Sequence, residues 1–231
     1  MSAQDPRNKF KTDNYEKQEQ EVPGIQAKMS PQPDCGEDSY HGHHRLDGFK
    51  ILVTGGDSAI GRAAAIAYAK EGADVAINYL PSEQQDADDV KQIIENVGQK
   101  AILIPGDIRD EQFNYDMVEE AYQQLGGLDN VTLVAGHQLY QDELSEFKTQ
   151  DFTETFETNV YPVFWTVQKA LEYLQPGGSI TTTSSVQGYN PSPILHDYAA
   201  TKAAIISLTK SFSAELCLLY TSDAADERSS V

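Results

Sequence analysis

From Phe49 onward, five short apolar runs alternate with segments of helical periodicity, and this alternation limits the fold more than any other feature. The runs read "FKILVTG", "ADVAINYL", "KAILIPGD", "NVTLVAG" and "GSITTTSS". Helices are predicted over residues 61–72, about 82–97, about 111–125, about 152–174 and a segment around 198–202. Apolar strands that alternate with helices are typical of a parallel sheet covered on both faces. The sequence therefore predicts an α/β domain with a doubly wound parallel sheet.

Composition limits the cellular setting and the partners. A chain of 231 residues is long enough for one domain with a well-buried core. No apolar run approaches a membrane span, and the N-terminus lacks the apolar segment of a secretory signal. Two cysteines, Cys35 and Cys217, cannot form a disulfide framework, which fits a reducing cytoplasm. A net charge of −19 argues against nucleic acid or anionic membrane as a partner, because their phosphates would be repelled.

Residues 1–45 differ from the rest of the chain. They are rich in Gln, Pro and charge and show little hydrophobic periodicity, which predicts an arm that is either disordered or laid over a surface. The "HGHH" cluster at 41–44 offers imidazole donors, but no carboxylate or cysteine stands at a recognisable ligand spacing. A linker is favoured, and no metal site is predicted. The domain itself is assigned to residues 46–216.

A glycine-rich turn, "TGGDSAIGRA" from Thr54 to Ala63, follows the first strand and opens a helix. Such a turn lets the backbone approach a diphosphate, whose charge then lies at the helix N-terminus. Glycines alone are weak support for a diphosphate-binding turn, since any tight turn needs glycines. The position after the first strand of a β/α pattern favours a nucleotide site.

A second group of residues points to acid–base chemistry. Tyr198 and Lys202 are four residues apart and so share one helix face, and Ser185 ends the preceding strand. A nearby ammonium stabilises a phenolate, which suits tyrosine to proton transfer. Tyr189 is an alternative phenol, although two prolines separate it from that helix. Each element alone is more often structural, but together with the glycine turn they favour a catalytic site.

The combined motifs resemble the short-chain dehydrogenase/reductase family, whose loop reads TGxxxGxG and whose active site reads Ser, then YxxxK. The segments "TGGDSAIGRAAAIAYAKEGADVAINYLP", "LVAGHQ", "DYAATKAAI", "PGIQAKM" and "PDCGE" are similar to the bacterial NAD(P)-dependent aldehyde reductases and general-stress oxidoreductases of that family. The resemblance covers about residues 10–216. It implies a Rossmann-type fold that moves a hydride between NAD(P)H and an aldehyde or ketone and its alcohol. The sequence departs from the family pattern at two places. Ala59 stands where the family usually has glycine, and we expect it to weaken cofactor binding. After the fourth strand, "LVAG" stands in place of the family's NNAG.

The resemblance also implies residue roles. Tyr198 protonates the carbonyl oxygen, and Ser185 stabilises the charge that develops there. Lys202 binds the nicotinamide ribose, and Asn159 holds a water that links this lysine to solvent. The cofactor-binding residues that it implies are Thr54, Gly55, Asp57, Ser58, Ile60, Gly61, Asn78, Tyr79, Asp107, Ile108, Ala135, Gly136, Tyr198 and Lys202.

The choice between NADP and NAD depends on the end of the second strand. That strand ends "INYL", with Asn78 and Tyr79 but without the acidic residue that binds the ribose 2′-hydroxyl in an ordinary NAD enzyme. The absence of an acidic residue would tolerate a 2′-phosphate. However, the residue directly before Ala59 is Ser58, not a basic residue that could hold this phosphate. Arg62 is the candidate to hold the phosphate, and the sequence slightly favours NADP.

The end of the chain departs from the family. Residues 217–231, "CLLYTSDAADERSSV", resemble a translated sequencing adapter, whereas the family continues with further strands. We therefore expect a truncated sheet that lacks the family's last strands, followed by a disordered tail. Related enzymes imply a homotetramer and a small carbonyl or alcohol substrate. The alternatives are an inactive nucleotide-binding fragment, or an assembly protein that uses the acidic surface and the arm.

Overall fold

A computed structural model describes residues 17–216, and the predictions for residues 1–16 and 217–231 lie outside that range. Its centre is a five-stranded sheet in the order β3-β2-β1-β4-β5. The strands are β1 Lys50–Thr54, β2 Asp74–Tyr79, β3 Ala101–Pro105, β4 Asn130–Leu133 and β5 Ser179–Thr182. All neighbouring strands are parallel. The predicted doubly wound parallel sheet is confirmed.

Within residues 17–216, six α-helices connect and follow the strands. They are α1 Ala59–Lys70, α2 Gln84–Asn96, α3 Glu111–Leu125, α4 Thr149–Asn159, α5 Tyr161–Ala170 and α6 His196–Leu216. The prediction of a single helix over 152–174 is wrong, because the helix is interrupted at Val160, between α4 and α5. Pro162 in the first turn of α5 has no N–H to continue the ladder of α4, and proline favours a helix start.

The strands bury side chains on both faces of the sheet. Ile51 and Val53 of β1 pack with α1 and α2, whereas Leu52 between them packs with α3, α5 and α6. This alternation follows from the two-residue period of a strand. Because all strands run in the same direction, their carboxyl ends and the loops that follow meet at one edge of the sheet.

The N-terminal arm contacts the domain at the C-terminal end of α1. Glu71 at the end of α1 accepts hydrogen bonds from the backbone amides of His43 (2.9 Å) and Arg45 (3.0 Å). Lys70 donates to the carbonyls of Gly36 (2.8 Å) and Tyr40 (2.9 Å). The arm is therefore fixed to the C-terminal end of α1 by charged side chains.

No helix within residues 17–216 is long and apolar enough to cross a membrane.

Candidate active site

A groove of about 440 Å³ lies at the carboxyl ends of the strands, within the size range of small-molecule sites. Loops after β1, β2, β3 and β4 form its walls, and α4 contributes one side. Every predicted cofactor residue between positions 55 and 136 lines this groove. Thr54, Tyr198 and Lys202 are predicted cofactor residues that do not line it.

The glycine loop needs its glycines for steric reasons. Gly55 has a φ of +62°, in the left-handed region that favours glycine. A Cβ on Gly61 would lie 1.9 Å from the carbonyl oxygen of Gly55, so a side chain there would push the loop open. Ser58 precedes α1, but its side chain caps no amide of the first turn. The amides of Ile60 and Gly61 are therefore placed to bind an anion at this helix N-terminus.

Thr54 does not line the groove but hydrogen-bonds to the loop that forms one of its walls. Its buried hydroxyl accepts hydrogen bonds from the amides of Val134 (3.1 Å) and Ala135 (3.3 Å). These bonds join the end of β1 to the loop after β4. Thr54 thus holds two walls of the groove together.

Two carboxylates lie at the end of the groove beside β2. Asp57 is 1% exposed, and its Oδ2 has no hydrogen-bond partner among residues 17–216. Burial raises the pKa of Asp57. Glu83 follows β2 in the short helix Pro81–Glu83, and burial together with the charge of Asp57 raises the pKa of Glu83 to about 7. This end of the groove changes charge near neutral pH.

The wall after β3 carries a group of one cation and two carboxylates. Asp107 accepts hydrogen bonds from Nε of Arg109 at 2.9 and 3.1 Å, and Nη1 of Arg109 donates to Glu154 of α4 at 2.8 Å. Burial alone would raise the pKa of Asp107, but the hydrogen bonds from Arg109 hold that pKa below its ordinary value. Two carboxylates thus offset the charge of Arg109 within the groove.

The predicted catalytic lysine lies at the opposite end. Lys202 is 4% exposed, donates to the carbonyl of Thr183 at 2.8 Å, and holds its ammonium 5.4 Å from the centre of the Tyr198 ring. Burial lowers the pKa of Lys202. A Cβ built on Gly136, which lines the groove, would lie 3.7 Å from Nζ of Lys202. At Gly136 the groove therefore comes close to Lys202, the lysine that the sequence pairs with Tyr198.

Asn159, the last residue of α4, is tied to the same region. Its Oδ1 accepts from the amide of His137 (2.6 Å), and its Nδ2 donates to the His137 carbonyl (2.8 Å) and to Oγ1 of Thr201 (3.0 Å). The side chain thus joins α4, the loop after β4 and α6. Its predicted water-holding role stays a prediction.

The two serines after β5 make different contacts. Ser184 donates its hydroxyl to the carbonyl of Lys202 at 2.9 Å, which fastens α6 to the end of the sheet. Oγ of Ser185 accepts from the amide of Gln187 at 3.2 Å, at the start of a short 3-10 helix. The alternative phenol, Tyr189, is 74% exposed at the end of that helix.

A glycine loop after the first strand, a groove over the switch in strand order and a YxxxK pair at its end suggest one family of dehydrogenases. The family model for short chain dehydrogenase matches residues 50–218, most of the chain. The chain belongs to the short-chain dehydrogenase family.

Individual relatives of this short-chain dehydrogenase agree with that assignment. It is 56% identical over 211 residues to the uncharacterized oxidoreductase YhxD of Bacillus subtilis, covering 91% of this chain and 71% of YhxD. It is 42% identical over 194 residues to general stress protein 39 of the same organism, covering 84% and 68% of the two chains. A crystal structure of a short chain dehydrogenase from Burkholderia cenocepacia in complex with NADP superposes with a TM-score of 0.71 at 36% identity, over 75% of this chain and 71% of that one. The predicted resemblance to the oxidoreductases of this family is confirmed.

The structure of this short-chain dehydrogenase contradicts the phosphate-binding role predicted for Arg62. Its side chain is 9% exposed, and Nε donates to Glu37 of the arm at 2.9 Å. Arg62 does not line the groove. It bonds instead to Glu37 of the arm, 25 residues upstream. No local sequence pattern links these two residues.

Several groove residues of the dehydrogenase were not predicted from its sequence. Glu83 and Thr158 carry weak signals, since the first follows β2 by four residues and the second precedes Asn159. Val22 and Pro23 of the arm also line the groove. Pro23 begins the segment "PGIQAKM" that carries part of the family resemblance, but that segment did not point to a place in the groove.

The three histidines of the "HGHH" cluster are exposed. Nδ1 of His44 lies 3.1 Å from Oδ1 of Asp47, at the surface. Residues 17–216 contain no group of three or more His, Cys, Asp or Glu side chains arranged to hold a metal ion.

Proposed function

We propose that this short-chain dehydrogenase transfers a hydride between a nicotinamide dinucleotide, NADP or NAD, and an aldehyde or ketone and its alcohol. The observation that carries the proposal is the position of Lys202. Its buried ammonium lies beside Tyr198 and borders the groove at Gly136. We infer that the groove with its glycine loop and this acid–base pair form one site.

The residues of the groove fit a dinucleotide. The first-turn amides of α1 suit the diphosphate, and the absence of side chains at Gly55 and Gly61 lets the backbone approach it. The ends of β2 and β3 would face the adenosine half, and the loop after β4 would face the nicotinamide half. The NADP-bound relative of Burkholderia supports this assignment.

When bound, the nicotinamide supplies or accepts the hydride. In reduction, Tyr198 donates its phenolic proton to the carbonyl oxygen of the substrate. The neighbouring ammonium of Lys202 stabilises the phenolate that remains. The hydroxyl of Ser185 donates a hydrogen bond to the same oxygen while charge develops on it.

The environment of Lys202 suits that role. Among the ion pairs of residues 17–216, none includes this lysine, and its hydrogen-bond acceptor is the neutral carbonyl of Thr183. Its charge is therefore not cancelled by a carboxylate before it acts on Tyr198. Asn159 positions the loop and the helix around this pair through His137 and Thr201.

The choice of cofactor depends on charge at the β2 end. The slight preference for NADP loses one of its grounds, because Arg62 bonds to Glu37 away from the groove. Asp57 and Glu83 would repel a 2′-phosphate when they are ionised. We therefore propose that both NADP and NAD are used, and that the protonation of Glu83 sets the balance between them.

The predicted homotetramer and the predicted cytoplasmic location complete the proposal. Both come from the family resemblance and the composition. Analytical ultracentrifugation of the full chain tests the first, and a fluorescent fusion followed by cell fractionation tests the second.

The function is tested by following the oxidation of NADPH and NADH by the full chain with small aldehydes and ketones. We expect turnover in the parent chain and a fall of roughly 10²- to 10⁴-fold in Tyr198→Phe, because the proton donor is lost. Tyr189→Phe is the matched control and should keep the parent rate, since Tyr189 is 74% exposed. Equal rates for parent and Tyr198→Phe would contradict the proposal. A cofactor-induced rise in Tm without any turnover would instead support an inactive nucleotide-binding fragment.

A further inference from the structure

The N-terminal arm reaches the cofactor groove as well as the end of α1. Val22 and Pro23 line the groove together with Leu80 and Glu83, the residues that follow β2. Three residues after Pro23, the arm is bonded to the domain through Gln26. The arm therefore enters the groove from the side of β2 and α2, where the adenosine half of a dinucleotide would lie.

Gln26 connects three parts of the molecule. It is 5% exposed, and its backbone N–H donates to Oδ2 of Asp86 in α2 at 2.6 Å. Its side-chain Oε1 accepts from the amide of Ala59 at 2.6 Å, and its Nε2 lies 3.5 Å from Sγ of Cys35. A buried side-chain amide with all of its polar atoms engaged holds one conformation. Gln26 is thus a rigid contact between the arm, α2 and the glycine loop.

Ala59 is the residue of the glycine loop that most needs such a contact. It has a φ of +46°, whereas the backbone of an alanine rarely adopts the left-handed region. The family usually has glycine at this position, which reaches that region without strain. The hydrogen bond from Ala59 to Gln26 favours the left-handed turn and so offsets part of that strain.

Val22 is unusual for an apolar residue that borders a groove. It is 74% exposed, beside an opening that also presents Leu80. An exposed apolar side chain at the rim of a binding site gains stability when a flat apolar ring covers it. The adenine ring is the part of a nicotinamide dinucleotide with that chemistry.

We propose that residues 22–26 of the arm belong to the dinucleotide site: Val22 and Pro23 contact the adenosine half, and Gln26 positions the glycine loop through Ala59. This inference rests on the proposed function and extends it to a segment outside the α/β domain. Val22 and Pro23 act as binding residues. Gln26 acts as a positioning residue, because it reaches the ligand only through the loop.

The test measures the binding of ADP-ribose, NADH and NADPH to the full chain by calorimetry, with Val22→Ser and Gln26→Met as variants. Losing one buried hydrogen bond or one apolar contact weakens binding roughly three- to tenfold. We expect that loss for all three ligands, and the KM for NADH and for NADPH should rise by the same factor. Gln32→Met is the matched control, because Gln32 lies in the same arm and donates only to the arm carbonyls of Ala27 and Met29.

A second pair of variants tests the route through the loop. In an Ala59→Gly background, the turn no longer needs Gln26 to hold it, so Gln26→Met should weaken ADP-ribose binding less than about twofold. Equal losses in the parent and Ala59→Gly backgrounds would overturn the positioning role. Parent-like ADP-ribose binding by both arm variants, or an equal loss in Gln32→Met, would overturn the whole inference and leave the proposed function standing. Failure of the parent chain to bind any of the three ligands would overturn both.

Discussion

Lys202 holds its ammonium 5.4 Å from the centre of the Tyr198 ring, one helical turn away, in a position where solvent hardly reaches it. The ammonium donates a hydrogen bond to the Thr183 carbonyl, which follows β5. The end of the sheet therefore fixes the cation, and α6 fixes the phenol beside it. This arrangement makes the pair sensitive to any change that removes the charge or the packing around it.

Lys202→Met removes the charge and keeps most of the length of the side chain. We expect kcat to fall roughly 10²-fold or more, because the phenolate loses its stabilising cation. Lysine is charged below its pKa, and burial lowers that pKa for Lys202. The parent rate should therefore fall as pH rises through a value below that of an ordinary lysine, and this alkaline limb should vanish in the variant. The measurement is the pH dependence of kcat.

Lys210→Met is the control for this prediction, because Lys210 is exposed on the same helix two turns further on. It should keep both the parent rate and the alkaline limb. An unchanged kcat in Lys202→Met would remove the lysine from the mechanism.

Glu83 should make cofactor choice depend on pH. Its pKa of about 7 means that it is neutral below that pH and ionised above it. Two negative charges roughly 4 Å apart repel each other by about 1 kcal/mol in water, so an ionised Glu83 at that distance from the 2′-phosphate would weaken NADPH binding roughly fivefold. We expect the ratio of kcat/KM for NADPH to that for NADH to fall by about this factor between roughly pH 6.5 and 8.5. Glu83→Gln should keep the higher ratio across the whole range.

Glu95→Gln is the matched control for Glu83, since Glu95 lies on α2 outside the groove and pairs with Lys91. It should follow the parent curve. A ratio in Glu83→Gln that falls with pH as steeply as in the parent would assign the effect to another group.

Gly61→Ala tests the close approach within the glycine loop. The added Cβ would meet the Gly55 carbonyl at 1.9 Å, so the loop must move. Overpacking of this kind costs about 1–3 kcal/mol, and we expect Tm to fall by several degrees and dinucleotide binding to be lost. Gly127→Ala meets only Cγ of Lys50 at 3.4 Å and should change the free energy of unfolding by less than about 0.5 kcal/mol. Equal thermal shifts in the two variants would show that the loop can absorb the methyl group.

The sheet could be predicted from sequence because its signal is local. Runs such as "FKILVTG" and the glycine turn lie within a few residues of each other, and their order determines a parallel sheet. The break at Val160 was also marked locally, by Pro162, but helical periodicity continues through it. A proline in the first turn of a new helix and one inside a long helix look alike in a sequence.

The contacts of the arm could not be predicted, because they pair residues without any local pattern. Gln26 bonds to Ala59 across 33 positions, and Arg62 bonds to Glu37 across 25. In the sequence Arg62 looks free to bind a phosphate, and only the folded arm shows that its charge is already matched. The conformation of Ala59 was hidden as well, although its place in a glycine position suggested that it mattered.

The attachment of the arm at Glu71 should weaken in acid. Hydrogen bonds from Arg45 and Tyr40 hold the pKa of Glu71 well below its ordinary value. A carboxylate with a lowered pKa stabilises the fold above its unfolded-state pKa, about 4.3, and this stabilisation is lost as pH falls below that value. We expect the backbone amides of His43 and Arg45 to exchange with solvent at least roughly tenfold faster in Glu71→Gln than in the parent at about pH 7, because the variant side chain accepts fewer and weaker bonds. Hydrogen exchange with mass spectrometry measures this, with Glu95→Gln as the control. Parent-like protection of residues 43–45 in Glu71→Gln would show that packing, rather than this carboxylate, holds the arm on the domain.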